Sequence, residues 1–164
     1  MKVNERLNNS GISNVQFAPW PTEVQDDSLN LIETVFDMRP SPGLPDAPEE
    51  FTLPESATRF VRGTLRASFA DARGVRVALF EFGGVIAFRV LDENGLQELW
   101  DASAARPRPA RATFRVRGHG WTRESALVFA AAGSIERYSH MVATDDLCIE
   151  VVCSEEPVVT VLCA

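Results

Sequence analysis

Residues 75–91 read VRVALFEFGGVIAFRVL, two apolar runs of strand length on either side of Gly83-Gly84. A Gly-Gly pair supplies the positive φ angles that two-residue hairpin loops require, so the pattern predicts a β-hairpin with Phe82 paired to Val85. In that register Val75, Val77, Leu79, Ile86, Phe88 and Val90 share a core face, with Glu81 beside the turn. Arg76, Ala78, Phe80, Phe82, Val85, Ala87, Arg89 and Leu91 share the other face, too apolar for water and expected to be partly covered. Upstream, residues 60–69 alternate. Val61, Leu65, Ala67 and Phe69 point one way and Arg62, Thr64, Arg66 and Ser68 the other, as a half-buried antiparallel strand requires. A turn at Asp71-Ala-Arg-Gly74 completes a three-stranded meander over residues 60–91.

The remaining segments follow the same logic. Val15, Phe17 and Trp20 lie around Pro19 and Pro21, which suits an edge strand or a packed arm and excludes a central strand. Over residues 28–38, Ile32, Thr34, Phe36 and Met38 alternate as in a strand, while Leu29, Ile32 and Phe36 also fit a helix begun by Asp27 or Ser28. The β-branched and aromatic content favours the strand. Five prolines make residues 40–54 a long, semi-stiff loop. Leu96, Leu99, Trp100 and Ala104 fall on one helical face, capped by Asp92 or Asn94. Residues 106–111 form a basic loop and 112–116 a strand. Thr122 is a cap for a short helix running to Ala132 and closed by Gly133. Residues 137–144, 147–153 and 158–163 are strands again. About six or seven strands in blocks, with two short helices, predict one α+β domain over residues 1–164 with a mainly antiparallel sheet.

The chain has 164 residues and is 45% hydrophobic, enough for one ordinary core. It contains no stretch with the length and apolarity of a signal peptide or a membrane span, which leads us to expect a cytoplasmic protein with no membrane association. Cys148, Cys153 and Cys163, an odd number crowded into the last strands, fit reduced thiols. The formal net charge is −7 and unevenly spread: residues 1–58 hold Lys2, Arg6 and Arg39 against ten acids, whereas residues 59–137 hold thirteen arginines against eight acids.

Sequence motifs for catalysis are missing: there is no phosphate-binding loop, nucleophile elbow, paired-histidine zinc motif or CxxC. His119 and His140 are the one candidate acid–base pair, with Arg115, Arg117 or Arg123 to hold a phosphate. A zinc site from His140, Cys148 and Cys153 lacks a fourth ligand, and the odd spacing of the cysteines puts them on opposite faces of one strand. We therefore expect neither a metal nor another cofactor, and no enzymatic activity. The Arg-rich middle, with Trp100, Phe114 and Trp121 near it, raises nucleic-acid binding, but a sequence pI near 4.9 argues against a polyanionic partner. Acids cluster at loops and turns instead: Asp26, Asp27, Asp46, Glu49, Glu50, Asp145, Asp146, Glu155 and Glu156. Such a surface attracts a basic protein, and Trp20 and Phe51 are the candidate aromatic anchors.

The strand beginning at Phe60, the stretch VIAFRVLDE from Val85, the Trp100 helix and the ending RYSHMVATDDLCIEVVCSEEPVVTVL together resemble a loose set of small bacterial proteins. Some of those are encoded beside polymorphic or contact-dependent growth inhibition toxins. The resemblance implies an immunity protein, a cytosolic, non-catalytic binder that neutralises one cognate toxin domain, commonly a nuclease. No contact residues carry over from it. The alternative of another class is a small enzyme or ligand-binding protein with a pocket beside Arg76 and Arg89, using His119 or His140. A third is an oligomeric module associating through the second hairpin face. The sequence leaves the oligomeric state open.

Overall fold

A computed structural model describes residues 14–37, 63–131 and 138–163. The proline-rich loop with Asp46, Glu49, Glu50 and Phe51 lies outside the described residues, as do Phe60, Val61 and Gly133. Among these residues there are eight strands: β1 (Gln16–Pro19), β2 (Leu29–Asp37), β3 (Gly63–Asp71), β4 (Arg76–Asp92), β5 (Thr113–Arg117), β6 (Ser139–Val142), β7 (Leu147–Cys153) and β8 (Val158–Cys163). The helices are short: a 3-10 turn at Glu93–Leu96, then α1 (Gln97–Ala105), α2 (Gly120–Glu124) and α3 (Ala126–Ala131). Every strand pairing is antiparallel, in the order β1-β5-β6-β7-β4-β3-β2, with β8 also on β4. The fold is α+β with a mainly antiparallel sheet, as the pattern predicts. No helix among the described residues is long and apolar enough to cross a membrane.

The expected hairpin at Gly83-Gly84 does not form. β4 is a single strand of 17 residues. One edge of its first half pairs with β3; the opposite edge pairs with β8 over residues 76–81 and with β7 over residues 85–92. The chain therefore runs along β7, detours at residues 154–157 opposite the two glycines, and resumes along the same edge as β8. The ladders slip between Gly63 and Leu65 and between Val85 and Ala87, so the Gly-Gly pair marks a bulge where the strand changes neighbours. Gly84 sits at φ +59°, and its carbonyl accepts the Ser154 amide at 3.1 Å. A Gly-Gly pair between apolar runs suits a turn or a bulge equally; here strands at both ends of β4 supply the partners that keep it extended. The meander is accordingly β2-β3-β4, joined by the expected turn in which the Gly74 amide donates to the Asp71 carbonyl.

Ahead of the glycines the two faces of β4 are also the reverse of the expectation, whereas beyond them Phe88 packs on the core as expected. Ala78, Phe80, Phe82 and Val85 are buried, while Val75 is 52% and Leu79 40% exposed. Both alternating sets are apolar, so periodicity fixes which residues share a face but not which face turns inward. The inner place goes to the two phenylalanines, which remove more area from water than Val75, Val77 and Leu79 would. Their neighbours are Leu65, Ala67 and Phe69 of β3, placed inward as their alternation predicts, and Val142, Ile149, Val151 and Cys153 of β6 and β7. Trp20 and Val24 from the segment between β1 and β2, and Leu29 at the start of β2, complete this core.

The reverse side of β5, β6 and β7 forms a second layer. Phe114, Val116, Met141 and Cys148 pack under Leu96, Leu99 and Ala102, the buried side of the 3-10 turn and α1. Asp92 caps this unit, accepting from the Asn94 amide at 2.8 Å. Further along, Val152 and Ile86 lie under Phe129 and Trp121. Thr122 is not the cap expected for that helix: α2 starts earlier, at Gly120, because Glu98 of α1 reaches across to accept the Gly120 amide at 2.7 Å. The helix also breaks at Ser125 into α2 and α3 instead of running through.

The glycine corner makes a testable claim. A Cβ at Gly84 would overlap the Ser154 hydroxyl and would sit in the left-handed region. Gly84→Ala is expected to lower stability by about 2 kcal/mol, and by only about 1 kcal/mol in a Ser154→Ala background, where the backbone strain alone is left. Urea unfolding of the four proteins measures the coupling; equal losses in both backgrounds would remove the steric part of the account.

Candidate functional site

The outward face of β2-β3-β4-β8 has no helix over it among the described residues. Strand register lays its side chains in three transverse rows: Asn30-Ala70-Val77-Leu162, Glu33-Ser68-Leu79-Thr160 and Val35-Arg66-Glu81-Val158. Val35, Leu79, Val158 and Leu162 are exposed apolar groups in those rows. Arg66 donates to Glu81 at 2.7 Å in the middle of the face, which leaves Glu33 as the acid there with no salt bridge among the described residues. Residues of the last two rows line a groove of about 490 Å³. The arrangement offers apolar contact area with a residual negative charge on a rigid sheet. Its apolar members were legible as strand residues, but Val77 and Leu79 carry the pattern of a core face and Val35 that of a buried strand.

The loop acids named from sequence separate into two groups. Asp27 pairs with Arg76 at 3.0 Å; Asp145 pairs with Arg111 at 3.0 Å and accepts the Ser28 hydroxyl at 2.8 Å. These contacts, the Ser28 hydroxyl first, hold the Asp145 carboxyl below its ordinary range. Asp26 and Asp146 lie beside them, exposed. Glu155 and Glu156 are elsewhere, at the detour between β7 and β8. Glu156 pairs with Arg115, and Glu155 folds against Gly83. Glu156 also lines a cleft of about 610 Å³ with Trp20, Pro21, Glu23, Pro157 and Val159. Trp20 is its floor and not a surface anchor: it is 3% exposed, with its ring packed against Phe80, Phe82 and His140.

The two histidines do not form one site. They sit on opposite sides of β7, because adjacent residues of a strand point to opposite faces. His140, across from Val151, faces the core, where its Nε2 accepts from Arg115 at 3.2 Å and its Nδ1 lies 3.6 Å from the Cys153 thiol. Burial, and then the Arg115 charge, lower the His140 pKa to about 3, and burial pushes the Cys153 thiol up to about 12. This pair is therefore an uncharged imidazole and a protonated thiol at neutral pH, the opposite of an activated thiolate. Cys148 points to the other face, into the α1 layer, so the three residues considered for zinc do not converge.

His119 faces the helix side, where it meets a charge that the sequence analysis did not single out. Glu150 of β7 is 1% exposed. Arg89, directly across in the register, donates to its Oε2 from Nε at 2.8 Å and from the terminal nitrogen at 2.6 Å. Ser139 donates to Oε1, and His119 Nε2 stands 2.9 Å from the same oxygen. That last contact is ionic in distance but off the line of the ring N–H, so it is not an aligned hydrogen bond. Burial raises the Glu150 pKa, yet the His119, Arg89 and Ser139 contacts outweigh it and hold the carboxyl below the ordinary range. Arg89 also lies 4.7 Å from the Trp121 ring centroid, so the cluster fastens α2 to the sheet. A lone carboxylate within LCIEVVC was the signal for it. Arg76 and Arg89, expected to share a pocket, are 13 residues apart along β4, roughly 40 Å at strand spacing.

No protein-family model, no curated protein and no solved structure matches this chain.

Two expectations follow from the buried groups. The unfolded chain protonates His140 near the ordinary histidine value of 6.5 and the folded chain only near 3, so acid favours unfolding. Stability should fall as pH drops through that window, by up to about 1.4 kcal/mol per pH unit. A His140→Gln protein should have a shallower slope there; denaturant midpoints from pH 7 to pH 4 decide it. Arg89→Leu strands the Glu150 charge and should cost about 3–5 kcal/mol, with Arg89→Leu/Glu150→Leu recovering at least half of that loss. Thermal or urea unfolding reads both.

Proposed function

We propose that this chain works by binding another protein through the bare face of β2-β3-β4-β8, and that it is an immunity-type inhibitor of a toxin domain acting in the cytoplasm. The observation that carries this reading is the asymmetry of the sheet. The outer side of β5-β6-β7 is roofed by α1, α2 and α3, whereas the outer side of the other four strands keeps Val35, Leu79, Val158 and Leu162 in water around a groove. Exposed apolar rows on a rigid face are what a specific protein interface of about 800 Å² per partner is built from.

Charge supports the choice of partner. The chain carries a net −7, and Glu33 contributes to the groove an acid with no salt bridge among the described residues. Such a face favours encounter with a basic domain, of which nucleases are the common example, and salt slows that encounter. Capture would then be held by apolar contacts with Leu79 and Val158 and would act by covering the toxin's active site, with no chemistry required of the inhibitor. The resemblance seen in the sequence points to the same class of partner.

The decisive experiment takes the C-terminal domain of the protein encoded next to this chain and asks whether the two co-purify and whether this chain rescues cells in which that domain is toxic. Within a complex, Leu79→Arg should weaken binding at least about tenfold with an unchanged melting temperature. Charge reversal at Asp46, Glu49 and Glu50 should slow association and flatten its salt dependence. An unaltered affinity for Leu79→Arg would move the interface off this face, and the lack of any complex or rescue would end the immunity reading.

A further inference from the structure

Three strands have one edge wholly without a partner among the described residues, and two of these edges are guarded; β4 also lacks a partner on its β3 side beyond Val85. β1 is only four residues long and ends in Pro19; β2 carries a bulge between Leu31 and Glu33 and the acids Glu33 and Asp37. These are the usual devices that stop one sheet from pairing with another. The third edge is β8, six residues reading VVTVLC, without a charge, a proline or a bulge. It pairs with β4 on one side, and among the described residues no strand pairs with the other. Its inward side chains, Val159 and Val161, pack on the core, while Val158 is 61% and Leu162 50% exposed.

We propose that the β8 edge binds a second copy of this chain, giving a two-fold dimer in which β8 pairs antiparallel with β8. Facing residues in an antiparallel ladder must point to the same face, so the two-fold axis has to pass through a residue. Centred on Thr160, the pairing sets Val158 against Leu162 of the copy, Thr160 against its own equivalent, and Val159 against Val161. Every facing pair is then apolar or Thr–Thr, the combinations that stabilise neighbouring strands. The two exposed large apolar side chains of the strand, Val158 and Leu162, cover each other, and Pro157 stays outside the ladder. Space is available on both sides of the sheet: the groove of about 490 Å³ beside Val158 and Thr160, and the cleft of about 610 Å³ beside Val159.

β8 fits itself better than it fits an arbitrary strand, because its length, parity and lack of charge are matched by construction in the copy. The product is a continuous sheet in the order β2-β3-β4-β8-β8-β4-β3-β2, which doubles the bare face. This inference does not depend on what that face binds.

Sedimentation equilibrium of the full chain from about 1 to about 200 µM tests it, with a dimer expected in that range. Thr160→Lys and Thr160→Glu each place like charges opposite one another at the axis and should weaken association at least about tenfold. Mixing the two variants in equal amounts should restore a dimer made of one of each. Circular dichroism of each variant checks that the fold is kept, as expected for an outward-facing position. A native chain that stays monomeric throughout, a dimer indifferent to both charges, or a mixture that fails to re-associate would each overturn the proposal.

Discussion

The arrangement of the molecule depends on one long strand continuing, through a bulge, past two glycines. β4 serves the β3 side with one edge and, with the other, first β8 and then β7, so the strands on either side of Gly83-Gly84 belong to one sheet with two differently furnished halves. The detour at residues 154–157 is the complement of that corner. Ser154 and Glu155 occupy the room that side chains at Gly84 and Gly83 would fill, and the Ser154 amide satisfies the Gly84 carbonyl. Residues at the corner larger than glycine would displace the detour, and with it the start of β8.

The two halves solve the burial problem in different ways. Beyond the corner, both sides of the sheet are covered: by the aromatic core within, and by α1 and the α2-α3 pair without. The helix side contains the Glu150 cluster, where four elements meet: β4 through Arg89, β6 through Ser139, β7 through Glu150 and the residue preceding α2 through His119. A buried carboxylate is costly unless its oxygens are occupied, and here Arg89, Ser139 and His119 stand against them. Before the corner, among the described residues, only the inner side is covered, and the outer side is left half apolar. The contrast between a roofed and an unroofed half is what directs attention to the latter as a working surface.

The charges acquire a different meaning once they are placed. The arginines that suggested a polyanion site from sequence are largely engaged: Arg66, Arg76, Arg89, Arg111, Arg115 and Arg123 each pair with an acid, and Arg108 lies against the rings of Trp100 and Phe114. Asp27, Asp145 and Glu156, chosen as partner-facing acids, are the other halves of three of those pairs. Ion pairs at exposed positions add little stability, but they remove the local excess of either sign on which steering depends. Asp26, Asp146 and Glu33 are acids left without such a partner among the described residues.

What the sequence by itself determined is whatever depends on spacing and residue type within one segment. Alternation located β3, β6, β7 and β8 and put Leu65, Ala67 and Phe69 inside; β-branched and aromatic content decided for a strand at β2; the helical spacing of Leu96 and Leu99 located α1; prolines kept β1 out of the centre of the sheet; the odd interval between Cys148 and Cys153 placed them on opposite faces. The tertiary structure alone decided whatever depends on a partner from another segment. Gly83-Gly84 is a corner because β7 and β8 lie along the same edge of β4, and Phe80 and Phe82 turn inward because Trp20 and the inner residues of β6 and β7 are there to meet them. His119 reaches Glu150 only because α2 begins at Gly120, held by Glu98 of α1. Periodicity is a property of the local backbone, whereas which of two apolar faces is buried, and which charges neutralise each other, is set by whatever the rest of the chain brings alongside.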